Sequence, residues 1–441
     1  MSTQLRRISE KARNEPGLVF TSLYHHVCDV DNLRTCFEAL PGNRAVGIDG
    51  VTKERYGQNL EANLADLSER LKRMGYHPQP KRRSYIPKAG SDKGRPLGIS
   101  CFEDKLVELA VKRVLEPIYE EQFEDSSYGY RPRHSQHQCL AKLGETIQQK
   151  RVNHVVEADI RSFFNKVNHD WMLEFLRHRI GDPRILRLIE RMLKGGILEE
   201  GLVQASEEGT PQGSILSPLL SNIYLHYVLD LWFSRRVAPQ SAGEAYYFRF
   251  ADDFVAGFQH KQEADAFMKA LSGRLEQFGL SLAEEKTRCI EFGRFARTNA
   301  QRKGKKPEEF TFLGFTHYCG KTKRGDFKVK RRTARKKFGA GLKAFDEWAG
   351  KARHKLSKGE MLRRAKARVA GHLNYYAITD NATRCSDFVY RATRILYKRL
   401  NRKSQRKAYN WDRFNQALNS IGWPRVRIRI DLNPFRRAEA C

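Results

Sequence analysis

The chain has 441 residues, 40% of them apolar, which suffices for about two or three domains with real cores, and no apolar run approaches the ~18 residues of a membrane span. Lysine and arginine total 81 against 51 aspartates and glutamates, a net charge of +30, so a polyanionic partner, nucleic acid first, fits better than a neutral small molecule. Eight scattered cysteines with no Cys-x-x-Cys pair and no His cluster at zinc spacing fit a reduced intracellular protein without a structural metal.

Taken in chain order, the start "MSTQLRRISEKARNEPG" lacks the apolar core of a signal peptide, and Glu10 and Glu15 speak against an organellar transit peptide. "HVVEADI" (154–160) predicts a strand, and "HDWMLEFLRHRI" after it a helix with Leu173, Leu176 and Ile180 on one face. In "YYFRFADDFVAG", Tyr246, Phe248 and Phe250 precede, and Phe254 and Val255 follow, an Asp-Asp pair at the tip of a β-hairpin. "EADAFMKALSGRLEQFG" predicts a further helix, with Phe267, Leu271 and Phe278 in phase and Gly279 as its stop. "RKGKKPEEF" (302–310) reads as an exposed loop. Beyond residue 330 the helical period dominates, with Leu362, Ala365, Val369, Leu373 and Tyr376 on one face. The pattern predicts an α+β catalytic body followed by a helical module. That module is where the charge gathers: 34 basic and 9 acidic residues follow residue 320, against 47 and 42 before it.

An Asp-Asp turn by itself is ordinary. A third carboxylate, Asp159, lies near the exit of its strand, on the face of Val155 and Glu157. If the two strand ends lie side by side, Asp159 and Asp252, with Asp253 adjoining, form an oxygen-rich cluster suited to two Mg²⁺ ions. Two ions roughly 3.5 to 4 Å apart activate an attacking hydroxyl and stabilise a leaving oxygen, the chemistry of a polymerase.

Eight motifs stand in one order: "GIDGVT" (47–52), "YIPKAGSDKGRPLGI" (85–99), "SYGYRPRHSQHQCL" (127–140), "EADIRSFF", "GTPQGSILSPLLSNIYLH", "RFADDF", "EEKT" and "FLGF". Together, from about residue 40 to about residue 430, they resemble a group II intron reverse transcriptase. The resemblance implies a right-hand polymerase: an N-terminal extension and the start of the fingers over 1–80, fingers and palm over 81–320, an α-helical thumb/maturase region over 321–400, and a basic nucleic-acid-binding segment over 401–441. It implies an RNA-directed DNA polymerase that extends a DNA primer with dNTPs on an RNA template, and that binds structured group II intron RNA to assist splicing and mobility. A bacterial, cytoplasmic, ribonucleoprotein-associated protein with no membrane partner is expected, and the resemblance is compatible with a homodimer.

The same resemblance assigns residues. Asp159, Asp252 and Asp253 become catalytic and, with Ile160, metal-binding. Lys88, Arg95, Phe164 and Gln212 become the dNTP site, the cations gripping triphosphate and the Phe164 ring excluding a 2′-hydroxyl. Pro211, Gly213, Lys286 and Gly314 are placed near template and primer. Arg391, Arg394, Lys398 and Arg402, at helical intervals opposite Phe388, Ala392, Ile395 and Leu396, form a stripe for RNA. Without the resemblance, Phe163 and Phe164 read as core, and the other groups as loop or solvated charges. Two departures stand out: Phe250 replaces the family's usual Tyr, and no Cys/His cluster of an endonuclease domain follows, so DNA cleavage is not expected. A domesticated relative serving defence or repair, and a maturase acting mainly as an RNA-binding splicing cofactor, are the alternatives. The intact carboxylates argue against lost catalysis.

Overall fold

The computed structural model describes residues 3–86, 94–199, 202–204, 208–210, 213–402 and 408–434. Apolar residues at three- and four-residue intervals build the first helices, Thr3–Asn14, Tyr24–Cys28, Val30–Ala39, Lys53–Gly57 and Leu60–Lys72. Their inward residues, among them Leu33, Leu64, Leu67 and Leu71, join one core with Leu106, Val107, Val111 and Val114 of the long helix Phe102–Glu120. Side-chain caps fix several helix starts, as Asn168 does by accepting from the backbone N–H of Trp171 at 2.9 Å.

Eleven strands are described: β1 (Lys81–Ile86), β2 (Arg95–Ile99), β3 (His154–Asp159), β4 (Ile197–Glu199), β5 (Leu202–Gln204), β6 (Ala245–Phe250), β7 (Asp253–Phe258), β8 (Arg288–Glu291), β9 (Glu309–Phe312), β10 (Phe315–Lys321) and β11 (Phe327–Thr333). They form three sheets, ordered β2-β1-β4-β5, β6-β7-β3-β8 and β11-β10-β9. Every pairing in the central sheet is antiparallel.

The central sheet divides two cores, as strand alternation requires. Val156, Ala158, Tyr247, Phe254, Ala256 and Phe258 point into the core shared with the helices Ser217–Leu225 and Lys261–Glu276. Val155, Phe248, Val255 and Ile290 point the other way, into a core shared with Phe310, Phe312 and Phe315 of the third sheet. The chain then packs the helices Arg335–Lys355, Lys358–Tyr376 and Ala382–Asn401 around Phe345, Ala349, Leu362, Ala365, Val369, Leu373, Ala392 and Leu396.

The helices that follow the third sheet start at Arg335, since residues 327–333 pair along β10 as β11. Beyond residue 401, Phe414 and Leu418 of the helix Trp411–Ser420 complete the helical core, and Ile430 bridges to Ile378. Ile180 and Phe278 are buried as expected, yet both lie beyond their helices, which end at Arg177 and Glu276. Gly279, at φ 72°, is the chain reversal read from sequence. Among the described residues no helix is long and apolar enough to cross a membrane.

Candidate active site

Strands β3 and β7 run antiparallel with Asp159 directly opposite Asp253, so their side chains share a face of the sheet. That face is the one carrying Val155 and Val255, turned toward the third sheet. Strands β6 and β7 pair from Phe250↔Asp253 outward, which leaves Ala251 and Asp252 as a two-residue turn. Ala251 adopts φ 57°, as tight hairpins require of their first turn residue. The sequence reading of a hairpin tip and a strand end side by side therefore describes the backbone found.

Charge crowding follows from this geometry. Desolvation first, then the negative charges of Asp252 and Asp159, push Asp253 up to about 6, although its side chain keeps solvent access. An open cleft gives both properties, with protein on most sides and water on one. Lys286, in the short helical turn Glu284–Lys286, donates to the Asp159 carboxylate, and that bond raises the ammonium pKa. Lys337, in the first turn of Arg335–Lys355, adds a further favourable charge at Asp253. Glu157 on the same face pairs with Arg288 at 3.1 Å.

The donor set, three carboxylates within two adjacent strand ends and a turn, suits a hard divalent cation. Among the described residues no three acidic, His or Cys side chains close around a metal position, since the Asp159 carboxylate is turned to Lys286. The donor chemistry fits magnesium, and Lys286 occupies the side of Asp159 that a cation would compete for. Ile160 continues from Asp159 and bridges to Leu282, with its side chain buried.

The turn is held from beneath by residues that the sequence reading missed. Arg249 is fully buried and forks onto Asp230, Nε to Oδ1 at 2.7 Å and Nη2 to Oδ2 at 2.5 Å. The same guanidinium donates to Asn222 Oδ1 at 3.0 Å, to Ser127 Oγ at 2.7 Å, and to the carbonyl of Ala251 at 3.0 Å. Gly129 lies flat under the turn; a Cβ there would stand 2.2 Å from the Ala251 nitrogen, so only glycine fits. A signal was available: Arg249 is the one charged residue inside the apolar run "AYYFRF", and Asp230 interrupts "HYVLDLW".

The other expected residues fall as follows. Phe164 is half-buried in the short helix Phe163–Lys166, just past Asp159, and its carbonyl accepts from the N–H of Thr210 at 2.7 Å. Gly213, at φ 110°, packs where a Cβ would meet the Gly98 carbonyl at 2.8 Å, which sets this glycine against β2. Gly314 and Leu313, at φ 80° and 48°, make the tight β9–β10 turn, and Tyr375 donates to the Leu313 carbonyl at 2.8 Å. The backbone of Arg95 opens β2 opposite Ile86. Lys88, Pro211, Gln212 and the Arg95 side chain lie outside the described residues. Lys286 contacts Asp159 itself, closer to the carboxylates than a template position implies. Arg391, Arg394, Lys398 and Arg402 are all exposed, along Ala382–Asn401 and its end, with Arg391 paired to Asp387 at 2.7 Å.

Residues 86–317 match the family model described as Reverse transcriptase (RNA-dependent DNA polymerase), more than half of the chain. The chain belongs to the reverse transcriptase family. Among curated relatives, the chain is 38% identical over 231 residues to the group II intron-encoded protein LtrA of Lactococcus lactis subsp. cremoris, covering 52% of this chain and 38% of that protein. It is 32% identical over 325 residues to protein YkfC of Escherichia coli K12, covering 65% of this chain and 84% of that one. It also matches nuclear intron maturase 3 of Arabidopsis thaliana, at 29% identity over 116 residues, 26% of this chain and 16% of the plant protein.

Proposed function

We propose that this reverse transcriptase extends a DNA primer 3′-hydroxyl with deoxynucleotides on an RNA template, and that it binds group II intron RNA to assist splicing. The pairing of Asp159 with Asp253 across β3 and β7, with Asp252 in the adjoining turn, is the observation that carries the reading. The first sheet then serves as fingers, the central sheet as palm, and the helices from Arg335 as thumb. Lys88, Arg95 and Gln212 are assigned to the incoming triphosphate, and Gly213 and Gly314 to close approach of template and primer backbone.

Asp159, Asp252 and Asp253 are the side chains that would hold magnesium. When bound, the two ions would lower the cost of the negative charge that develops on the attacking and leaving oxygens. Lys286 pairs with Asp159 and would have to yield that carboxylate to a bound ion. The Phe164 ring, half-buried against Phe163 just past Asp159, is assigned to limiting the space next to the nucleotide sugar. Phe164→Ala should raise incorporation of ribonucleotides relative to deoxynucleotides in single-nucleotide extension. An unchanged ratio in a folded, active variant would return Phe164 to a packing role.

The splicing half of the proposal draws on the names of the LtrA and maturase relatives and on the exposed cations of Ala382–Asn401. Changing Arg391, Arg394, Lys398 and Arg402 together to Gln should flatten the dependence of RNA affinity on salt, by about 0.7 to 0.9 for each phosphate that is no longer neutralised. It should also slow assisted splicing of a group II intron transcript carrying the gene, while Asp252→Ala spares it. A preserved slope together with preserved splicing would make the stripe a solvated helix face.

A further inference from the structure

We infer that the side of the central sheet away from the carboxylates carries a second RNA-backbone site, a three-arginine pocket formed by Arg235, Arg236 and Arg274. The inference rests on the RNA-binding reading above and adds a place for it. The pocket is a shallow, open depression of about 540 Å³, lined also by Tyr227, Trp232 and Gln240; among the described residues no acidic side chain stands in its wall. Its helices belong to the core containing Val156, Ala158 and Phe254, whereas Asp159 and Asp253 stand on the face of Val155 and Val255. A polyanion held here therefore lies across the sheet from the duplex being copied.

The local backbone explains how the arginines come together. The helix that begins at Ser217–Leu225 continues through two π-helical turns, His226–Asp230 and Phe233–Val237, to Ala238–Gln240. In an ideal α-helix, at 3.6 residues per turn, Arg236 would stand roughly half a turn away from Tyr227. Each i→i+5 turn adds a residue to the circuit, so Tyr227, Trp232, Arg236 and Gln240 return to one side. The same wide turns leave Asp230 facing inward to Arg249, which separates the buried pair from the outer arginines.

Arg274 arrives from the helix Lys261–Glu276 already oriented. It donates to the carbonyls of Val228 at 2.9 Å and Tyr227 at 3.0 Å, and stacks on Phe278 at 4.5 Å. Its charge is matched there by carbonyl dipoles rather than by a carboxylate, and burial lowers its pKa. Arg235 and Arg236 are exposed beside it. Guanidinium forks without acidic neighbours in the wall, one of them pre-set by backbone carbonyls, match phosphodiester oxygens, and the Gln240 amide can meet a ribose hydroxyl. An acidic protein segment would answer the same charges, but the net charge of +30 across the chain favours a nucleic-acid backbone as the polyanion.

The test uses the full chain with bulk transfer RNA as the probe, binding being measured across a salt series. Arg235→Gln with Arg236→Gln should reduce the slope of log affinity against log salt by about 1.5, as two phosphates go without their cations. Arg274→Gln, made separately because its carbonyl bonds also brace the helix, should reduce it by about 0.8 with circular dichroism unchanged. Amide exchange over 227–240 should slow when the RNA is added to the unsubstituted chain. Extension of a short primer on a short RNA template should be unaffected in the double variant. An unchanged slope with no exchange protection overturns the site, and so does protection by polyglutamate in place of RNA. Failure of the unsubstituted chain to extend any primer would strike the polymerase reading instead.

Discussion

Arg249→Ala is expected to cost this protein about 3 to 5 kcal/mol of stability, because it leaves the Asp230 carboxylate buried without its cation. The loss should appear as a lower denaturant midpoint with an unchanged slope. Arg249→Lys keeps the charge but cannot span Asp230, Asn222, Ser127 and the Ala251 carbonyl together, so it should recover only part of that stability. Replacing both partners by apolar residues, Arg249→Met with Asp230→Leu, separates folding from positioning. Removing a buried pair as a unit is often close to neutral for stability. The double variant should therefore refold near the unsubstituted midpoint, yet extend primers poorly, since nothing then fixes the Ala251 carbonyl behind Asp252. If extension returns with stability, Arg249 serves the fold alone and the turn needs no anchor.

The carboxylate framework was legible because it obeys local rules. The apolar alternation around "RFADDF" admits a hairpin with the two acids at its tip, and "VVEAD" admits a strand ending on Asp159. That the two strands are neighbours, in a register that sets Asp159 against Asp253, is a property of the fold that periodicity does not show. What stayed hidden involved partners far apart in sequence. Arg249 and Ser127 lie 122 residues apart and are joined only by the fold.

Strand β11 was obscured for a related reason. In "FKVKRRT" the inward position after Val329 is Arg331, a charge where alternation expects an apolar side chain. The structure accommodates it with Gly144, where a Cβ would lie 1.8 Å from the Arg331 Nη2, and with the Leu140 carbonyl, which accepts from that nitrogen at 2.6 Å. The helices after Arg335 follow the simpler rule, and Leu362, Ala365, Val369 and Leu373 are buried as their spacing predicts.

Asp252→Ala and Asp159→Ala should each reduce RNA-templated synthesis below detection. Neither side chain belongs to the apolar cores, and Arg249 holds the turn at the Ala251 carbonyl. Each variant should therefore fold and keep its RNA affinity, since the carboxylates neutralise no phosphates and their removal lowers the negative charge of the cleft. Asp159→Ala also frees Lys286, whose ammonium loses its hydrogen-bonded partner and the rise in pKa that came with it. Lys286→Ala, by contrast, keeps all three carboxylates and should retain synthesis at a reduced rate.

The most direct measurement is extension of a DNA primer annealed to an RNA template, with deoxynucleotides and magnesium, by the purified full chain beside its Asp252→Ala variant, with RNA binding measured on the same preparations. The proposed chemistry predicts extension by the unsubstituted chain, none by the variant, and equal RNA affinity for both. Equal extension by the two proteins would contradict it, because catalysis would then not depend on the carboxylate turn.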